Sequence, residues 1–442
     1  MQTNQSIDIG HLLDEGRWGS RQKLYVFLTA LTIIFDGIDN QLLGVAVPAM
    51  MRDWSLTRGA FAPVLAAGMI GMMAGGAIAG LVGDRLGRRV ALIGSVFVFG
   101  VLTALAALVD NLWTLATLRF LAGLGLGGAM PNAAALVSEY VPKRHRPFAV
   151  TLTIVCVPLG GTLAAFVSGY VMPVLGWRSL FAFGGILPVV VALILIKFLP
   201  ESPRFLARHP DRWPDLVQTL RQIGHDVPDG STFVDLSERA AVKASIGSLF
   251  TLEFRRETIA LWGAMFACML AVYSAFNWVP SLLATDLGLA VASNGLAAFN
   301  FGGVGGAICG GLVIARIGSR PTMLTMAAGA VAGALMLAAT PISATTSAAS
   351  LILMLGFTGA MINAIQTTLY ALAAHVYPTT VRATGVGTAV AFGRVGGVTS
   401  TFAADFALEA GGSRAFFGLI AASMAVVFAA LAMVRRHVPR SR

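Results

Sequence analysis

Twelve long apolar runs constrain this chain more than any other feature. They lie near residues 24–49, 61–82, 90–109, 113–138, 148–172, 180–199, 258–284, 293–315, 321–340, 347–373, 383–408 and 414–434. A helix of about 20 residues crosses the hydrocarbon core of a bilayer, roughly 30 Å thick. In lipid every backbone N–H and C=O must pair within its own segment, so each run is expected to be a helix. The expected fold class is all-α: a polytopic membrane protein with twelve transmembrane helices in two six-helix bundles. A length of 442 residues would otherwise suit about three soluble domains. Composition excludes them, because 56% of the residues are hydrophobic and only 12% are charged. A soluble protein carries about 25% charged residues.

Basic residues set the expected orientation. With the N-terminus inside, 25 of the 31 Lys and Arg fall in inner loops and tails, counting Lys197 at the end of span 6, and 4 in outer loops, counting Arg414 at the start of span 12. Cationic loops stay on the cytoplasmic side, so both termini are expected there, in a bacterial inner membrane. The net charge of +10 then needs no nucleic acid. Residues 1–23 are polar, carry both signs of charge and read as a cytoplasmic tail, not a signal peptide. A charged stretch, 200–257, separates an N-terminal bundle (24–199) from a C-terminal bundle (258–434) and reads as a cytoplasmic linker with one or two surface helices. Residues 435–442 form a second tail. Cys156, Cys268 and Cys309 fit neither a metal spacing nor a disulfide framework. No metal or cofactor is expected.

The halves repeat each other. "GLVGDRLGRRVAL" after span 2 matches "GLVIARIGSRPTML" after span 8, placing Gly80, Arg85, Gly87 and Arg89 on Gly311, Arg316, Gly318 and Arg320. "EYVPKRHR" after span 4 matches "HVYPTTVR" after span 10, with Pro142 and Arg146 on Pro378 and Arg382. Two matches at nearly one offset indicate a duplicated six-helix unit. Parallel repeats around a central site are one design of secondary transporters.

Charges inside the spans are the candidate chemistry, because burying them in hydrocarbon is costly. Asp36 lies about 18 Å along span 1 and Asp39 about 22 Å; Arg394 lies about 17 Å along span 11 and Arg119 about 9 Å below the outer surface. Asp36 and Asp39 are three apart and share a helix face. Like charges that close oppose double ionisation, which suits a group that binds and releases a proton. Arg119 can pair with either aspartate. Arg394 has no acid nearby in sequence before Asp405, so it takes either an anionic substrate or a partner elsewhere in the chain. A carboxylate would meet it with two-pronged hydrogen bonds. Asn40, Asn277, Trp278, Asn300, Asn363, Gln366 and Tyr370 are candidate substrate contacts, with Tyr273, Phe276, Phe299 and Phe301 as candidate walls of a flat slot. The alternative for each is interhelical glue or a lipid-facing ring. Glu139, about 39 Å along span 4, falls at the cytoplasmic end. With Arg144 and Arg146 it is expected to form a gate beside Asp84, Arg85, Arg88 and Arg89, Asp84 capping a helix start. The glycine runs "GMIGMMAGGAIAG" and "FNFGGVGGAICGG" sit mid-span with no "GK[ST]", so close helix approach explains them better than a phosphate loop.

These motifs resemble a known family. "GDRLGRR" and "RFLAGLGLGG" at 119–128 are similar to signatures of the major facilitator superfamily, and "PESPRFL" at 200–206 resembles its sugar-porter and related branches. "DGID" in span 1, "GGAMPNAAALVSEYVPKRHR" in span 4, "NWVPSLL" in span 7 and "YPTTVRATGVGTAVAFGRVGG" before and in span 11 resemble its aromatic acid:proton symporter branch. The chain departs at Ala315, which stands opposite Asp84, and at Asn40. The resemblance implies import of an aromatic carboxylate with protons by alternating access, and a role for Arg119 in proton transfer; a monomer is expected. Rival readings are another organic anion, a sugar acid or a drug as cargo, or a transporter-like receptor without flux. A membrane enzyme would need a His/Cys/Ser constellation that the sequence lacks.

Overall fold

The fold was read from a computed structural model of the chain, which describes residues 6–228, 231–235, 245–343, 346–378 and 381–440. Parts of the linker and of both tails therefore lie outside the described residues. All twelve apolar runs are helical. Spans 1 to 4 are Ser20–Trp54, Ala62–Leu86, Arg88–Ala106 and Leu112–Tyr140. Spans 5 and 6 share the helix Arg146–Phe198, broken at Gly176. Spans 7 to 10 are Arg255–Leu287, Leu289–Ile317, Ser319–Ala339 and Ala348–Val376. Spans 11 and 12 share Arg382–Met433, broken at Gly411 and Gly412. Most helices run a few residues past their apolar runs, as Ser20–Trp54 does, whereas span 3 stops at Ala106, short of its run.

The repeat is visible in three dimensions. Spans 2 and 4 pack together as do spans 8 and 10, and span 1 packs on span 5 as span 7 does on span 11. The matched glycines Gly87 and Gly318 both have positive φ, 107° and 90°, a conformation in which a Cβ clashes. Each turns the chain sharply between consecutive spans. The glycine runs explain the close pairs. A Cβ on Gly71 or Gly75 would lie 2.1 Å from the Phe120 or Leu124 carbonyl oxygen, and one on Gly302 or Gly306 would meet Gly356 or Ala360 of span 10 as closely. Small residues here let two backbones touch. The halves meet along spans 1 and 7, 2 and 11, and 5 and 8.

The face bearing the termini and most of the cations is called the basic face here, the opposite one the far face. The basic face carries more structure than a tail and a linker suggest. Ser6–Asp8 pairs in parallel with Thr232–Val234, the only strands among the described residues. The short helix Ile9–Asp14 buries Ile9 and Leu13 fully, in one cluster with Phe205, Leu206, Leu216 and Leu220. The last two belong to the linker helix Trp213–Gln222, whose polar side faces outward. The spacing of Ile9 and Leu13 places both side chains on one helix face, and this apolar stripe docks the N-terminal segment on the linker.

Candidate functional site

Span 1 carries the densest set of buried polar groups. Asp36 is 3% exposed, Asp39 is fully buried and Arg119 is 5% exposed. Three residues along a helix leave the two aspartates about 60° apart, and neighbouring helices separate them further. Asp39 turns into the first half. Arg119 of span 4 donates to it through Nη2 to Oδ2 at 2.7 Å and Nη1 to Oδ1 at 3.3 Å, and Thr103 of span 3 donates its hydroxyl to Oδ1 at 2.5 Å. Asp36 instead faces the interface between the halves. The two aspartates thus do not form one carboxylate pair: one is held by a guanidinium, the other lines a cavity.

That cavity, of about 70 Å³, lies between the halves. Asp36 and Asn40 contribute from span 1 and Arg394 from span 11. Its remaining first-half wall is apolar, made by residues such as Met72, Met130, Ile154 and Val157; the second-half wall carries Tyr273, Phe276, Asn363, Gln366, Thr367 and Tyr370. Arg394 donates through Nη1 to the Met72 carbonyl of span 2, so it crosses the interface from second half to first. Asn40 donates to the Asp36 carbonyl at 3.0 Å. Gln366 points Nε2 at the Met269 sulfur at 3.4 Å, and Asn363 donates to the Gly359 carbonyl at 2.9 Å, keeping its own oxygen available.

Other expected contacts are elsewhere. Asn300 exchanges two 2.8 Å hydrogen bonds with Gln41, a buried amide clasp joining span 8 to span 1 on the far-face side of the cavity. Its hydrogen-bonding capacity is engaged in packing and not offered to a ligand. Trp278 is fully buried outside the cavity wall. Asn277 lines a separate, smaller cavity with Arg119 and Asn40. Of the expected aromatic slot, Tyr273 and Phe276 line the cavity, Phe299 packs behind Phe276 at 6.0 Å between ring centroids, and Phe301, 66% exposed, points away because it follows Asn300 onto the outer side of span 8.

The expected gate divides into two clusters. Arg88 pairs with Asp84 at 2.7 Å and reaches Glu139 at 3.8 Å, and Ser202 donates to Glu139. The carboxylate at the start of span 3 is Glu201, not Asp84: its Oε1 accepts the Arg89 N–H at 3.0 Å and the Ser202 N–H at 2.9 Å. Asp84 sits in the last turn of span 2, where the backbone N–H groups are already paired. Arg146 leaves the Glu139 group and joins Arg204 on Asp14 of the N-terminal helix. Arg85 and Arg144 are exposed. Glu201 and Asp14 escaped the sequence reading. The "PESPR" motif pointed to the first, whereas nothing local distinguishes Asp14 from other charges of its segment. Thr103 and Gln41, equally unremarkable in sequence, become visible only through their partners.

The far face is closed between the halves. Besides the Gln41–Asn300 clasp, Ser168 and Ser293 oxygens lie 3.4 Å apart across spans 5 and 8, and span 1 touches the span 7 backbone at Gly44. Two repeated six-helix bundles enclosing a charged cavity at mid-span define the architecture of a secondary transporter. Comparison with known proteins agrees. The chain matches the Major Facilitator Superfamily model over residues 29–401, and it belongs to that family. It is 34% identical to the gallate transporter of Pseudomonas putida, over 92% of this chain and 90% of that one. It is also 34% identical to the 4-hydroxybenzoate transporter PcaK of Acinetobacter baylyi, over 89% and 86%. Among solved structures, the inward open conformation of the xylose transporter XylE from E. coli superposes with a TM-score of 0.72 at 18% identity, covering 94% of this chain and 96% of that one; this likeness concerns the fold.

Proposed function

We propose that this multi-pass membrane protein imports a small aromatic carboxylate together with protons by alternating access, acting as a monomer with both termini in the cytoplasm, in a bacterial inner membrane. The observation that carries the reading is the cavity in which Arg394 faces Asp36 between an apolar wall and a wall of aromatic rings and amides. With Nη1 engaged by the Met72 carbonyl, the Nε and Nη2 edge of the guanidinium can pair with a carboxylate through two parallel hydrogen bonds. The ring lies along Met72, Met130 and Phe276, and ring hydroxyls find Asn363, Gln366 or Tyr370. The names of the relatives, which specify gallate and 4-hydroxybenzoate, support this class of cargo. Asp36 takes a proton in the cavity and Asp39 takes one as its pair with Arg119 loosens. The halves 24–199 and 258–434 move as units joined by 200–257, and the Asp84–Arg88–Glu139 group, which ties together the basic-face ends of spans 2, 3 and 4, acts as a gate on the first-half side of that face. Purified protein in proteoliposomes, given radiolabelled benzoate, 4-hydroxybenzoate and gallate with an inside-alkaline pH gradient, should accumulate at least one of the three, and a protonophore should abolish the accumulation. Accumulation of none, or accumulation insensitive to the protonophore, contradicts the reading.

A further inference from the structure

Beside the substrate cavity lies a second, narrower one of about 20 Å³, bounded by Asn40, Met72, Arg119 and Asn277 among others. Asn277 is fully buried, and neither its amide nitrogen nor its amide oxygen has a hydrogen-bond partner among the described residues. The side-chain oxygen of Asn40 has no partner among them either. A buried amide left unpaired is costly, and here three such atoms belong to side chains that border one small space. A cavity needs about 10–15 Å³ and two to four polar partners to hold a water molecule; this one meets both conditions. Asn277 comes from the second half, Asn40 and Arg119 from the first. Gly44 brings the two together, since its Cα faces the Phe276 carbonyl and the Asn277 Cα so closely that a Cβ would lie 2.6 and 3.0 Å from them.

We propose that this cavity is a single-water site bridging the two halves, with Asn277 as the residue that holds it, and that Arg119 turns to this water when Asp39 is protonated. The water donates to the Asn40 and Asn277 oxygens and, once Asp39 is protonated, accepts from the guanidinium. The charged and polar groups facing Asp39 are Arg119 of span 4, the Thr103 hydroxyl of span 3 and Asp36 one turn earlier, itself facing Arg394 of span 11. Addition of a proton to the Asp39 carboxylate leaves a neutral acid, and no other bond is made or broken. The guanidinium then lacks its counter-ion, and a water-mediated hydrogen bond, enthalpically close to a direct one, is the nearest replacement. Asn277 can supply its end only while spans 1 and 7 touch. Proton uptake in the first half therefore favours closure of the far face. This rests on the proton-coupled reading above.

The test compares reconstituted wild type with Asn277→Leu, similar in volume without a hydrogen-bonding group, and Asn277→Ser, which keeps a polar group and leaves more room for water. Infrared difference spectra on 4-hydroxybenzoate binding are recorded in ordinary and oxygen-18 water, alongside 4-hydroxybenzoate exchange and pH-driven accumulation. Wild type and Asn277→Ser should display an O–H stretch that shifts in oxygen-18 water and should accumulate substrate. Asn277→Leu should lose both the band and the accumulation while exchange persists. A wild type without an isotope-sensitive band overturns the site whatever the variants do. An Asn277→Leu protein that keeps the band or accumulates like wild type overturns it as well. If wild type itself exchanges 4-hydroxybenzoate but ignores the gradient, the proton-coupled reading falls and this inference with it; in the other failures that reading stands.

Discussion

At the scale of single residues, the two intramembrane arginines are held in opposite ways, and this separates their expected effects. Arg119 is paired with Asp39 inside one half, so Asp39→Asn strands a buried guanidinium. Breaking a buried pair from one side costs about 3–5 kcal/mol. Asp39→Asn should therefore lower the thermal unfolding temperature clearly, and the double variant Asp39→Asn with Arg119→Gln should recover part of the loss. Additive losses in a double-mutant cycle contradict the pairing. Among the described residues Arg394 is held by a single backbone carbonyl, and it faces the cavity, so Arg394→Ala should act on binding more than on folding. Truncating one partner of a buried charge pair costs about 2–5 kcal/mol, roughly 30-fold to several-thousand-fold in affinity. Arg394→Lys should fall between, since it keeps the charge and loses the planar fork. Calorimetry with an aromatic acid and its amide decides the role: the acid should suffer much more than the amide, and equal losses remove the carboxylate clamp.

At the scale of elements, the contact between spans 1 and 7 depends on a missing side chain. A methyl group at Gly44 would sit 2.6 Å from the Phe276 carbonyl oxygen, inside any real contact distance, so the helices must separate. Gly44→Ala should leave the protein monodisperse yet slow uptake, and spin labels at the far-face ends of spans 1 and 7 should report longer distances. An unchanged distance distribution with unchanged uptake contradicts this account of the interface.

For the whole molecule, closure of the far face relies on the Gln41–Asn300 clasp, and buried amides reward symmetrical change. Removing one partner leaves the other unsatisfied at about 1–3 kcal/mol, whereas replacing both by apolar groups is nearly neutral. Asn300→Leu alone should shift the protein towards a state open on the far face, read as faster labelling of a cysteine introduced at the far-face interface. Adding Gln41→Leu should return labelling towards the wild-type rate. Faster labelling in the double variant than in the single one argues against the clasp.

The chain's dependence on a bilayer, its twelve spans and its duplicated halves were all legible before any coordinates, because lipid forces each apolar run to satisfy its own backbone and because a repeat leaves matched residues such as Gly87 and Gly318. The identity of the intramembrane charges was equally plain, since so few charges interrupt the runs. Their pairing was not. Sequence spacing placed Asp36 and Asp39 on one face, but a helix face of that width meets two surroundings, and only the packing of span 4 on one flank and the cavity between the halves on the other assigned Asp39 to Arg119 and left Asp36 opposite Arg394. The same holds for Asn300, whose amide is engaged by Gln41 from a helix 259 positions away, and for Glu201, which took the capping role that "GDR" suggested for Asp84. Hydropathy is a property of each segment and survives in one dimension. Hydrogen bonds between distant helices depend on which flank of one helix meets which flank of another, and that is decided only when the twelve are packed together.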